Sequence, residues 1–251
     1  MSREMQYVPI LRWRPAEIVA LRQLYEQDRK RITPLIEVLP IEGGGFGKIT
    51  KDIGRNWGFR PFFLDLNHIN PALRLSDGRH PLVLMGKEAQ ALRLALIPVT
   101  GLNRVPAYQA AVAAVAQMNK QGICFRLYSG DVNRATFEKD LLRLLSRHKL
   151  DPRQTDLIID FEITAGSNLA YEDLCRRIPR LRRWRTFTII SGAFPKDLGG
   201  LGKNSQRELE RADWLRWLSE IKRTKLLRIP GYGDYTVQHP SYSPPKGEAE
   251  S

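Results

Sequence analysis

Strand-like and helix-like segments alternate about eight times along the 251 residues of this chain, and this alternation is the strongest constraint on its fold. Alternating strand and helix units in one chain imply a parallel sheet with helices packed outside it. Eight such units are the number that closes a (β/α)8 barrel. The sequence therefore predicts the α/β class, with a single TIM-barrel-like domain over residues 1–238. A doubly wound open sheet is the chief alternative.

The predicted elements are read from apolar runs, helical spacing and turn residues. Strands are expected at residues 7–13, 32–40, 60–68, 94–100, 123–129, 155–164, 186–195 and 226–235. Helices are expected from Pro15 onward and at residues 86–94, 106–119, 133–148, 168–181 and 205–221. Residues 239–251 are rich in Pro, Ser and Gly, which predicts a flexible polar tail.

Acidic side chains at the end of the sixth predicted strand are the first candidates for chemistry. In TDLIIDFEIT, residues 155–164, Asp160 and Glu162 alternate with apolar residues, so a strand points both to one face. Sites in such barrels lie at the carboxyl ends of the strands, where Asp65 and Arg126 are also expected. The predicted catalytic set is therefore Asp65, Arg126, Asp160 and Glu162. The alternative is that these charges neutralise one another inside the barrel.

Other positions at strand ends are weaker candidates. Glu37, Asn67, Ser191 and Asp234 share this placement. His68 is the best placed of four histidines for a general base, and the favoured alternative is a surface or capping histidine. Ser191 lacks a G-x-S-x-G elbow, which argues against a nucleophilic serine. Tyr232 and Tyr235 could stack on a ligand, although the glycines beside them could simply form a turn. The glycine-rich segment 43–47 fits no phosphate-binding pattern and is expected to be a flexible loop.

The charge balance is strongly basic. Forty Lys and Arg face 27 Asp and Glu, which gives a net charge of +13. Such a charge favours contact with nucleic acid, an anionic membrane surface or an acidic protein. The densest basic run, RRIPRLRRWR, supplies seven candidate nucleic-acid-binding residues, which are Arg176, Arg177, Arg180, Arg182, Arg183, Trp184 and Arg185. The alternative is a solvated helix end with Trp184 packed in the core.

Cysteine usage and hydropathy indicate the compartment. Cys124 and Cys175 lie in apolar segments without metal-ligand spacing, and we expect both to be reduced, buried and structural. The amino-terminal residues contain no apolar core of a signal peptide, and no window reaches the roughly 18 apolar residues of a membrane span. The sequence predicts a cytoplasmic protein without a membrane partner, and it does not indicate an oligomeric state.

Six segments in this order resemble the phage beta protein family. They are YVPILRW (7–13), RITPLIEVLP (31–40), FFLDL (62–66), DLIIDFEI (156–163), FTIISGAFP (187–195) and GYGDYTVQHP (231–240). The resemblance covers nearly the whole chain and implies a barrel-like α/β fold in a setting of phage and bacterial conflict. It supplies no catalytic residues. Members of that family usually continue beyond a segment like residues 231–240.

Two functions are consistent with these features. The first is a beta-family protein of a phage or bacterial conflict (antiviral defence) system, which binds nucleic acid or an acidic partner through a basic surface. The alternative is a metal-assisted phosphodiester hydrolase that uses carboxylates at the carboxyl rim of the barrel. A divalent metal cofactor is expected only under that alternative. No catalytic motif decides whether the protein is an enzyme.

Overall fold

Eight parallel strands form a closed barrel in the computed structural model, which describes residues 6–41, 45–164, 169–196, 206–223 and 225–242. The strands are β1 (Tyr7–Arg12), β2 (Leu35–Glu37), β3 (Phe62–Asp65), β4 (Leu96–Thr100), β5 (Ile123–Tyr128), β6 (Thr155–Ile163), β7 (Thr186–Gly192) and β8 (Gly231–Asp234). Each strand pairs with the next, and β8 pairs with β1. The predicted TIM-barrel-like α/β fold is confirmed, and the open-sheet alternative is wrong.

Helices alternate with the strands and lie outside the barrel. They are α1 (Pro15–Gln23), α2 (Glu26–Arg29), α3 (Phe46–Trp57), α4 (Pro81–Ala91), α5 (Pro106–Asn119), α6 (Ser129–Val132), α7 (Phe137–Arg147), α8 (Tyr171–Arg177) and α9 (Ala212–Arg223). Because parallel strands run one way and the helices return the other way, strand-to-helix connections meet at one end of the barrel. The helix-to-strand connections meet at the opposite end.

The sequence did not predict α3. The glycine-rich segment 43–47 was expected to be a flexible loop, but α3 begins directly after Gly45 and includes residues 46 and 47. Phe46, Thr50, Ile53 and Trp57 are buried along one side of α3, at helical spacing. That spacing was the available signal, and two internal glycines obscured it. Residues 43 and 44 of the predicted loop lie outside the described residues.

The barrel interior is apolar toward the amino ends of the strands and polar at their carboxyl ends, which form the mouth of the barrel. Ten buried side chains fill the interior, which are Val8, Ile10, Leu35, Phe63, Ile97, Val99, Cys124, Ile158, Ile190 and Tyr235. Alternate residues of the same strands face outward and join the larger core beneath the helices. Cys124 and Cys175 are both free and buried, as predicted. Among the described residues, no helix is long and apolar enough to span a membrane.

The glycines of β8 are required by packing and do not form the turn considered from the sequence. A Cβ atom on Gly233 would lie 2.6 Å from Ile190 Cγ1 and 2.6 Å from the Val8 carbonyl oxygen. Both distances are far below van der Waals contact, so neighbouring strands leave no room for a side chain.

We expect Gly233→Ala to lower the free energy of unfolding by about 2 kcal/mol, because the added methyl group overpacks the barrel interior. Gly130→Ala is the matched control, since a Cβ at Gly130 in α6 meets no atom within 4 Å. That control should change the free energy of unfolding by less than about 1 kcal/mol. Urea denaturation measures both, and equal effects of the two substitutions would contradict the packing argument.

Candidate functional site

A layer of buried charged side chains closes the mouth of the barrel, at the carboxyl ends of its strands. Arg12, Glu37 and Asp65 are the last residues of β1, β2 and β3, and Arg126 and Asp160 come from β5 and β6. All five are buried. Each lies two positions after an apolar, inward-facing residue of its own strand. Since side chains alternate between the two faces of a strand, this spacing points all five groups toward the barrel axis.

The Arg126 guanidinium lies at the centre of this layer and contacts three carboxylates. Its Nη1 donates to Glu37 Oε1 at 2.7 Å and to Asp65 Oδ2 at 3.0 Å. Its Nε donates to Asp160 Oδ2 at 2.9 Å, and its Nη2 donates to the Tyr235 hydroxyl at 2.9 Å. The Tyr235 hydroxyl in turn donates to Asp160 Oδ2 at 2.7 Å. The structure thus brings together Arg126, Asp65 and Asp160, three of the four residues of the predicted catalytic set.

Two further arginines and a histidine surround this centre. Arg104, from the β4–α5 connection, donates to both Asp65 carboxylate oxygens at 2.9 and 3.0 Å. Arg12 Nε donates to Glu37 Oε2 at 3.3 Å, and His68 Nε2 lies 3.0 Å from the same oxygen. Three guanidinium groups therefore face three carboxylates. Arg12 and Arg104 were not among the predicted site residues. Arg12 occupies the same kind of inward position near the end of a strand as Arg126, so strand parity was an available signal for it. Arg104 lies in a connection, where the sequence gives no local signal of its partners.

This pairing fixes the charge state of Glu37. Burial alone would raise the pKa of its carboxyl group, but Arg126 and His68 outweigh burial and hold that pKa at about 2. Burial raises the pKa of the Tyr235 hydroxyl well above its ordinary value, and the charge of Asp160 raises it further. The Tyr235 hydroxyl is thus neutral and acts as a hydrogen-bond donor. The mouth is a self-neutralising network of ion pairs, which is the alternative that the sequence left open.

Glu162 does not share the position of Asp160, contrary to the simple alternation expected for β6. The pairing of β6 with β7 shifts register between Asp160 and Ile163, and Glu162 adopts a left-handed backbone with φ 56°. Its side chain is exposed, while its backbone N–H donates to Asp160 Oδ1 at 2.8 Å. Glu162 therefore lies on the rim and outside the buried network.

Residues 239–242 lie across the mouth, although the sequence predicted a flexible tail from residue 239. Arg12 Nη2 donates to the carbonyl oxygens of His239 and Pro240 at 3.0 and 2.6 Å. The Tyr242 ring lies 5.5 Å from Arg12 Cζ and 4.9 Å from the His68 ring. This short segment covers the Arg12 side of the network. Residues 243–251 of the predicted tail lie outside the described residues.

Two other candidates from β8 face away from the mouth. Asp234 and Tyr232 point outward into the layer between the barrel and α9. Asp234 Oδ1 accepts from the Tyr7 hydroxyl at 2.8 Å, and the Tyr232 hydroxyl donates to Asp213 Oδ2 at 2.8 Å. Both residues are buried and join β8 to β1 and α9. Their contacts are structural, and Tyr232 is not accessible for stacking on a ligand.

The predicted nucleic-acid-binding run lies at the opposite end of the barrel, around the α8–β7 connection. Arg180, Arg182 and Arg183 are exposed there. Arg185 donates to Asp156 at 3.0 Å and packs against the barrel. Trp184 is only 1% exposed, and its Nε1–H donates to the Pro179 carbonyl at 3.0 Å. Because Trp184 is buried, the expectation that it stacks on a base is wrong.

The two remaining arginines of this run lie on α8, at the side of the barrel. Arg176 pairs with Glu172 on the same helix. Arg177 Nη1 donates to the Val132 carbonyl of α6 at 3.2 Å. The seven residues of the run therefore fall into three groups: two on the side of the barrel, three exposed at its end and two packed against the protein. The density of charge along the sequence could not show this division.

Basic residues extend over the whole end of the barrel that contains this run. The seven helix-to-strand connections between β1 and β8 contain thirteen Lys or Arg and one acidic residue, Asp151. The basic residues are Lys30, Arg31, Arg60, Arg93, Lys120, Lys149, Arg153, Arg180, Arg182, Arg183, Arg185, Lys225 and Arg228. The strand-to-helix connections contain eight basic and five acidic residues. The excess positive charge is therefore concentrated at one end, which we call the basic end.

The mouth offers no ready set of metal ligands. Within the described part of the chain, no three His, Cys, Asp or Glu side chains are grouped so that they could hold a metal ion. Asp65 and Asp160, two of the three predicted ligands, instead accept hydrogen bonds from Arg104 and Arg126, and the third, Glu162, is exposed on the rim. The site can orient charges and hydrogen-bond donors, and a metal would have to displace guanidinium groups from these carboxylates.

The chain matches a known protein family. The model of the family described as Beta protein matches residues 7–250, which span all eight strands and the segment across the mouth. A search of curated proteins gives no match. The match assigns no residue roles, so the roles of individual residues rest on the geometry described above.

We expect Glu37→Gln to lower the free energy of unfolding near neutral pH by about 3 kcal/mol, because it removes one carboxylate from a buried ion-pair network. Since the folded-state pKa of Glu37 is lowered from 4.5 to about 2, its stabilising effect is present above pH 4.5 and is lost as the pH falls toward 2. The difference between wild type and Glu37→Gln should therefore shrink over this range.

Urea denaturation at a series of pH values tests this expectation. Glu162→Gln is the matched control, since Glu162 is exposed on the rim, and it should change the free energy of unfolding by less than about 0.5 kcal/mol near neutral pH. A constant difference between wild type and Glu37→Gln from pH 7 to about pH 3 would show that the charge of Glu37 does not stabilise the mouth.

Proposed function

The chain belongs to the Beta protein family, and from this premise we propose that it is a nucleic-acid-binding protein whose contact surface is the basic end of the barrel. The observation that carries the proposal is the charge distribution, with thirteen basic residues and one acidic residue in the connections at that end. A predominantly basic surface that is drawn from every helix-to-strand connection fits a polyanion better than a small ligand.

The backbone of the basic end supports a functional origin for this charge. Arg93, Lys120, Lys149 and Arg180 adopt left-handed backbone conformations, with φ between 53° and 56°, shortly after α4, α5, α7 and α8. Glycine usually occupies this position at the end of a helix, because other residues pay a steric cost there. A cation near a helix carboxyl terminus recovers about 0.3–1 kcal/mol from the helix dipole. Cations thus occupy positions that backbone geometry favours for glycine.

The mouth of the barrel is a poor alternative surface for a polyanion, which favours binding at the basic end. Its three arginines are paired with three carboxylates, so they add no net positive charge for a polyanion. The same pairing gives no support to the metal-assisted hydrolase considered from the sequence. Asp65 and Asp160 are already paired with arginines, and Glu162, the third predicted ligand, lies outside the buried network. The conflict setting implied by the family resemblance stays a prediction, as does the cytoplasmic location.

A triple charge reversal tests the proposal. We expect Arg180→Glu, Arg182→Glu and Arg183→Glu together to lower affinity for an oligonucleotide at least about tenfold at low salt, since three phosphate contacts are lost. The slope of the logarithm of the binding constant against the logarithm of salt concentration should fall by about 2, or about 0.7 for each contact. Fluorescence anisotropy of a labelled oligonucleotide over a salt series measures both quantities.

The matched control is the reversal of three exposed lysines at the other end of the barrel, Lys48→Glu, Lys139→Glu and Lys196→Glu. This variant has the same net charge but should keep more of the wild-type affinity and salt slope. Equal losses in the two variants would show that overall charge matters and the basic end does not. Absence of oligonucleotide binding by wild type at low salt, with binding of polyglutamate, would assign the surface to an acidic protein.

A further inference from the structure

Two exposed aromatic side chains lie on the basic end, and neither was recognised from the sequence. Tyr25 is 75% exposed and Phe59 is 72% exposed. Among the large hydrophobic side chains that the structure describes as exposed, these two are the aromatic ones. Tyr25 precedes α2, and Phe59 lies between α3 and β3. Both therefore belong to the helix-to-strand end of the barrel.

The two segments that carry these aromatic residues are joined by contacts of their neighbours. Arg60, next to Phe59, pairs with Glu26, next to Tyr25. Arg29 donates to the Asn56 carbonyl at 3.3 Å, and its guanidinium lies 5.8 Å from the ring of Trp57. These contacts join the end of α3 to α2, so the two rings project from one supported platform.

The Trp57 ring fixes this platform to the core. It is fully buried, and its Nε1–H donates to the Pro61 carbonyl at 3.1 Å, which spans the short connection that contains Phe59. Gly58 has φ 82°, a left-handed conformation that a side chain would strain. The turn is thus closed beneath Phe59, and the Phe59 side chain is left outside it. An exposed ring on a fixed backbone loses little conformational entropy when it binds a partner.

Exposed cations lie at the same end of the barrel and close in sequence to Tyr25. Lys30 and Arg31 follow α2 directly, and both are exposed. Base faces are hidden by stacking in a duplex but are available in a single strand. Alternation of exposed aromatic rings with phosphate-binding cations is the pattern by which proteins bind single strands.

Building on the proposed nucleic-acid function, we infer that the basic end binds single-stranded nucleic acid, with bases stacked on Tyr25 and Phe59. The exposed arginines of the α8–β7 connection, residues 178–185, contact phosphates further along the strand. Duplexes would use only the phosphate contacts and would bind more weakly. The stacking role that the sequence suggested for Trp184 is thus assigned to two aromatic residues from the amino-terminal part of the chain.

Substitutions at Phe59 separate stacking from charge. We expect Phe59→Leu, which keeps apolar bulk but removes the aromatic face, to weaken binding of a labelled oligo(dT) about tenfold. Phe59→Trp should restore wild-type affinity, and its fluorescence should be quenched on binding. Tyr25→Leu should act in the same direction. Val237→Ala is the control, because Val237 is 73% exposed at the other end of the barrel.

The outcomes distinguish this inference from the proposed function. Equal affinity for single strands and duplexes, with no effect of Phe59→Leu, would overturn the inference while leaving nucleic-acid binding in place. Absence of binding to either form at low salt would overturn both. A protein that sedimentation velocity shows to be a dimer, and that becomes monomeric on Phe59→Leu without change in oligo(dT) affinity, would assign the two rings to a subunit interface instead.

Discussion

The buried guanidinium of Arg126 is the constraint on which the rest of the barrel mouth depends. A cation removed from water requires compensating charge and hydrogen bonds, and Glu37, Asp65 and Asp160 provide both from three other strands. Tyr235, just beyond β8, completes the donor and acceptor set. One side chain thereby couples residues contributed from β2, β3, β5, β6 and the end of β8. Loss of any one of the three carboxylates would leave uncompensated positive charge in the barrel interior.

Neutralisation at the mouth determines where the net charge of the protein can act. Since Arg12, Arg104 and Arg126 are balanced by carboxylates, the excess of basic residues is found elsewhere, chiefly in the helix-to-strand connections. The barrel therefore has two different ends. Its carboxyl end is internally paired and partly covered by residues 239–242, whereas its other end presents cations and two exposed aromatic rings.

Sequence patterns predicted the barrel well because strand and helix periodicities are local. They also brought Arg126, Asp65 and Asp160 together, since inward parity at the carboxyl ends of neighbouring strands is a general rule. They failed where tertiary context decides. The register shift in β6 places Glu162 on the rim, away from the face that Asp160 occupies. Trp184 is buried and cannot stack on a base. Arg104, Tyr25 and Phe59 gave no sequence signal, because their roles depend on residues distant along the chain. Arg12 carried the same strand-end signal as Arg126 but was not included.

The distinction between the two ends is tested most directly by amide hydrogen exchange of the protein with and without a saturating single-stranded oligonucleotide. Slower exchange in residues 25–31, 58–61 and 178–185, with unchanged exchange in residues 65–68 and 236–242, is the result that binding at the basic end predicts. Slower exchange at residues 65–68 and 236–242, with no change in the helix-to-strand connections, would place the ligand at the mouth and contradict the proposed function.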